Sequence, residues 1–102
     1  MLYNKGNICF TGGVNLKVVA KPIEVISVTD TKGNITPLRL RIVKDDESLQ
    51  VIKVDKVITR AKEKLAGNRM TVFTCQSLVG NIEKRYEVKY ELDTCRWILY
   101  KI

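Results

Sequence analysis

The residues of this chain that could do chemistry are mostly cationic. Lys56, Arg60, Lys62, Lys64 and Arg69 crowd into residues 53–69 together with Lys53, against only Asp55 and Glu63. Ammonium and guanidinium groups at that density attract phosphates and carboxylates. These five residues are therefore the candidate contacts for an acidic partner or a nucleic acid. The chain as a whole carries a net charge of +7, so the cluster is not cancelled elsewhere. Lys84, Arg85 and Lys89 form a second basic group, but they alternate with Glu83, Glu87 and Glu91, which weakens it. Arg39 and Arg41 alternate with Leu38, Leu40 and Ile42, the pattern of charges on the wet face of a strand.

Other chemistries are poorly served. The chain has no histidine, so the commonest general base and metal ligand is missing. Ser27, Ser48 and Ser77 have no partner base in view. Asp45, Asp46 and Glu47 lack the alternating spacing of a calcium loop and read as a solvated hairpin tip. The stretch TGGVNLK departs from the spacing of a phosphate loop, and GNICFTGG from that of a dinucleotide loop. Cys9, Cys75 and Cys95 are odd in number and show no C-x-x-C spacing, which argues against a disulfide framework and a zinc site. We expect no catalytic residue, no cofactor and no metal, and a role other than an enzyme's.

The elements that position the cations read as strands. Runs rich in Val, Ile, Thr, Tyr and Phe, punctuated by DTKGN, VKDDES, LVGN and LDT, predict strands near 22–30, 36–44, 49–58, 69–78, 82–92 and 95–102. Gly33-Asn34 and Gly80-Asn81 supply the positive φ of tight hairpins. Between the two sets of three lies TRAKEKLAG, residues 59–67, where Thr59 fits an N-cap, Gly67 a C′ position, and Ala61 with Leu65 one helical face. One or two helical turns are expected there.

Register arithmetic narrows the packing. Pairing Val79 with Ile82, and Tyr90 with Trp97, puts Phe73, Cys75, Tyr86, Val88, Tyr90, Leu92, Trp97 and Leu99 on one inner face, with Cys95 on that face too. The aromatics among them therefore read as core, leaving Tyr3, Phe10 and Tyr100 for the surface. Pairing Asp30 with Ile35 sets Val25 opposite Leu40, Ile23 opposite Ile42 and Glu24 opposite Arg41. Pairing Ile42 with Ile52 sets Arg39 opposite Asp55, and is preferred to a register that opposes Arg39 to Lys53. The expected fold is all-β: a small six-stranded antiparallel barrel or orthogonal sandwich, SH3-like in size, made of two three-stranded meanders joined by a short helical connector. An α+β roll is the alternative if 59–67 forms a longer helix. Residues 22–102 make one domain, and 1–21 an arm or extra hairpin.

The segments KPIEVISVTDTKGNITPLRLRIV, QVIKVDKVI, KLAGN, VFTCQS and YELDTCRWILYKI resemble short uncharacterised bacterial proteins, the conserved hypothetical products, over residues 21–102. That resemblance implies a bacterial, cytoplasmic setting and no particular activity, cofactor or site residue. The chain also lacks an apolar run of about 20 residues that a membrane helix needs. A non-catalytic binding module is expected, with a protein partner or self-association through open sheet edges. The alternative is a nucleic-acid-binding small barrel using the basic residues around 56–69.

Overall fold

Hairpin turns decide where each strand starts and which residues face one another. The computed structural model describes residues 16–102. Seven strands, β1 (Val18–Thr29), β2 (Ile35–Val43), β3 (Leu49–Lys53), β4 (Lys56–Leu65), β5 (Asn68–Val79), β6 (Ile82–Glu91) and β7 (Arg96–Lys101), form one antiparallel sheet in the order β3-β2-β1-β7-β6-β5-β4. The sheet is curled into a half-barrel. The expected arm over 1–21 lies outside the described residues up to 15, and Val18–Lys21 already belong to β1.

Two strands pass between the halves of the curl. β1 pairs with β7 through Val18–Ile23 and with β2 from Glu24 onward, so it changes partner in mid-strand. At the other side the chain steps from β3 to β4 through Val54 and Asp55. Val54 N–H donates to the Leu38 carbonyl of β2 at 2.9 Å, and Asp55 N–H donates to the Gln76 carbonyl of β5 at 3.1 Å. The Asp55 carboxylate also accepts from Leu78 N–H at 2.7 Å, fixing the corner to β5. β3 and β4, the two ends of the strand order, are thus covalently one bent strand.

The space inside the curl is filled by Leu40, Ile42 and Ile52 from one half and by Phe73, Cys75, Tyr86, Val88, Trp97 and Leu99 from the other. Each full burial of such a side chain is worth about 1.5–3 kcal/mol. Trp97 stacks tilted between Phe73 and Tyr90, with ring centres at 5.6 and 4.8 Å. The buried hydroxyls of Tyr86 and Ser77 satisfy each other at 2.5 Å, so neither is stranded in the core.

The registers expected for β5–β6 and β6–β7 are found: Phe73 faces Val88, Cys75 faces Tyr86, Tyr90 faces Trp97 and Glu91 faces Arg96. Glu24 faces Arg41 and Val25 faces Leu40 as expected, but a bulge after Ile26 shifts the rest, so that Ile35 meets Thr29 instead of Asp30. Leu38 is the extra residue, next to Pro37, which has no N–H to give to a ladder.

Three expectations need correction. The described residues form seven strands, not six, because residues 59–67 form no helix and belong to β4 and its turn. No described residue is helical, which also removes the α+β alternative. The reason is at Ala66 (φ 51) and Gly67 (φ 84): two successive left-handed residues make a tight hairpin turn, not a helix end, and send the chain back along itself. Ala61 and Leu65, the supposed buried stripe, are exposed. Second, β2 and β3 pair with Arg39 opposite Lys53 and Leu40 opposite Ile52, against the preferred register. The turn dictates this: Lys44 N–H bonds the Ser48 carbonyl at 2.8 Å, with Glu47 left-handed and Asp46 accepting from Ser48 N–H at 2.9 Å. That closure outweighs the exposed like-charge contact of Arg39 with Lys53. Third, Cys95 sits exposed in the β6–β7 turn at φ 60, not on the inner face.

Ala66 occupies a conformation that costs an alanine about 1 kcal/mol. Ala66→Asn, which completes the favoured Asn-Gly turn, should raise the urea midpoint; a helix at this place would be weakened by the same change. Alkaline pH should act on the core. Burial pushes the Tyr86 hydroxyl and the Cys75 thiol each up to about 12. Both are neutral in the folded chain, so their contribution is complete below their unfolded pKa values of about 10 and about 8.5, and is lost as pH rises through the folded values. Urea midpoints should therefore fall steadily above about pH 9.

Candidate functional site

The five candidate cations are distributed by the alternation of β4 and β5. Directly opposed residues share a face: Arg60 stands opposite Phe73, Lys62 opposite Thr71, and Lys64 opposite Arg69. Phe73 is core, so this is the concave side of the half-barrel. Lys56 lies before a bulge at Val57–Thr59 and opposes Gln76 on the other face. Four of the five are thus brought together, and Lys56 is not among them. Arg69 is engaged by Asp93 at 3.0 Å in an exposed ion pair.

The acid within β4 faces the other way. Glu63 holds Lys89 Nζ on the convex side at 3.1 Å, and the same ammonium lies 3.7 Å from the centre of the Tyr100 ring. Lys89 is therefore buried, and neither it nor Tyr100 is free surface bait. Among the described residues, Arg60, Lys62 and Lys64 have no carboxylate within 4.0 Å. Arg60 is held by two neutral contacts. Its Nη2 donates to Thr36 Oγ1 at 2.8 Å, bridging from β4 to the start of β2, and its guanidinium lies 5.3 Å from the Phe73 ring centre.

Behind that bridge is a cavity of about 250 Å³ between the β1–β2 hairpin and strands β4 to β6. Thr29 and Asn34 line one wall; Arg60, Lys62, Thr71 and Tyr90 line the other. The hairpin wall is stiff because Asp30 accepts from Lys32 N–H (2.9 Å), Asn34 N–H (2.8 Å) and Asn34 Nδ2 (3.0 Å). These bonds, those of Asn34 foremost, hold the Asp30 carboxyl below its usual range.

The remaining chemical candidates resolve simply. Asp46 closes its own turn through Ser48, and that bonding lowers its pKa. Arg41 is paired with Glu24 through Nε at 2.5 Å, while Arg39 faces Lys53 and Ile26 and has no carboxylate within 4.0 Å among the described residues. No helix of the described residues is long and apolar enough to cross a membrane. Cys9, Tyr3 and Phe10 lie outside the described residues. Compared with protein-family models, with curated proteins and with solved structures, the chain gives no match.

Sequence reading missed Thr36, Thr71 and Asn34 as neighbours of the basic cluster. The parity that places Phe73 inward also places Thr71 there. Only the helical reading of 59–67 withheld the partner strand that brings Arg60 and Lys62 beside it. The two described thiols differ sharply, one buried and one in an open turn. In a Cys9→Ser background, iodoacetamide should label Cys95 in the folded protein, and Cys75 only after urea unfolding, as peptide mass spectrometry will show.

Proposed function

We propose that this chain is a non-catalytic binding module that captures an acidic, extended segment of another protein along the edge of β4 that no described strand covers. One observation carries the reading: β4 is the end strand of the sheet, and Arg60, Lys62 and Lys64 on its concave side lack acidic partners among the described residues. An end strand offers unpaired N–H and C=O groups to an incoming strand. Alternate acidic side chains of that strand would meet the three cations, and apolar ones would fall on the opposite face. Self-association through β4 is disfavoured, because two copies would bring like charges together.

A second reading, single-stranded nucleic acid, is favoured by one specific feature. Tyr90 lies half-buried in the same cavity as Arg60 and Lys62, a ring beside cations. The two readings separate in one titration series using a short peptide of alternating Val and Glu and an oligo-uridine of similar charge. The peptide should shift the amide resonances of Ala61–Leu65, with affinity falling as salt rises. Lys64→Glu should weaken it about fivefold. Tighter binding of the oligo-uridine at the same salt, with Tyr90 perturbed, would replace the protein reading. Absence of any shift along β4 with either probe would refute both.

A further inference from the structure

We propose that the cavity behind the Arg60–Thr36 bridge is a binding site for a small organic oxyanion: a carboxylate or phosphate monoester carried on a compact ring. The inference goes beyond edge-strand capture, since it concerns a small molecule inside the curl and needs no partner chain.

The polar side of the cavity is built for an anion. Arg60 has five N–H donors, of which one is given to Thr36, so others remain for a ligand. Lys62 adds an ammonium from the same face of β4. Opposite Lys62 in the wall stands Thr71, which is only 9% exposed, and its hydroxyl makes no hydrogen bond to another described residue. A buried hydroxyl without a partner is uncommon and points to a group that is meant to meet it. No carboxylate lines the cavity. Asp30 feels the Arg60 charge only weakly, and its oxygens are already taken by the Lys32 and Asn34 donors of its turn.

The rest of the lining mixes apolar side chains with Thr29, Gly33 and Asn34 of the β1–β2 hairpin. Tyr90, Ile35 and Leu92 add one ring and two aliphatic side chains to it. At about 250 Å³ the cavity falls below the roughly 300–1,000 Å³ of sites for drug-sized ligands. A single ring bearing one oxyanion matches the volume and a lining that holds two cations beside an aromatic ring.

The cavity has a built-in reporter. Trp97, the sole tryptophan, packs against Tyr90 with ring centres at 4.8 Å. Phenyl phosphate and benzoate are the probes, with benzyl alcohol as the neutral ring and inorganic phosphate as the ringless anion. At least one of the two ring anions should change Trp97 emission saturably, and which one does so tells phosphate from carboxylate recognition. Benzyl alcohol and inorganic phosphate should each bind about tenfold more weakly or less. Thr71→Val and Lys62→Gln should weaken the ring anion about five- to tenfold. Lys64→Glu, outside the cavity lining, should leave it within about twofold while weakening the edge-strand peptide about fivefold. Failure of both ring anions to saturate below about 10 mM, equal binding of benzyl alcohol, or indifference to Thr71→Val and Lys62→Gln would each overturn the proposal, whatever the peptide does.

Discussion

The step from Val54 to Asp55 is the constraint on which the molecule depends. One residue donates its amide to β2 and the next donates to β5, so the two ends of a seven-stranded sheet are held together by a single peptide link. A sheet tied in this way must curl. Curling buries nine apolar side chains between its halves, and the same bend makes β4 leave β2 just where Thr36 and Arg60 span the gap. Core and cavity are therefore products of one corner. The Asp55 carboxylate is turned to Leu78 N–H at that corner, while the turn at Lys44–Ser48 sets Lys53 opposite Arg39.

What the sequence made legible was whatever local turn chemistry and two-residue alternation could fix together. Gly80-Asn81 and the short turn before Arg96 set β5, β6 and β7 in register, and the inner face followed from counting by twos. β4 was hidden for a physical reason. An edge strand with both faces largely wet shows no apolar alternation, and Ala, Lys, Glu and Leu suit a helix as well as any residues do. The decisive signal was the turn at Ala66-Gly67, and alanine is an unusual occupant of its first position. The β2–β3 register differs from the expected one for another reason: exposed like charges such as Arg39 and Lys53 in water barely oppose a well-bonded turn.

The candidate site shows the same division. The basic residues were visible as a cluster in the chain, but clustering in sequence says nothing about face. Lys56 and Lys64 are eight positions apart in one strand and still point to opposite sides, because a bulge at Val57–Thr59 changes the parity between them. Thr71 gave no sign of interest in the sequence. Its burial, with no hydrogen-bond partner for its hydroxyl among the described residues, is something only the packed structure can express.

The contact of Glu63 with Lys89 has a consequence for how β4 is laid down. A slip of β4 by one residue would exchange its two faces. Arg60, Lys62 and Lys64 would then be carried to the convex side, against a buried ammonium that had just lost its counter-ion. The correct register puts the strand's one acid where a cation is waiting; a slip of one residue puts Lys62 or Lys64 there instead, and a slip of two leaves the ammonium facing Ala61 or Leu65. The pair works as a key that admits the strand in a single alignment, and so keeps the basic face of β4 turned toward the hollow of the sheet.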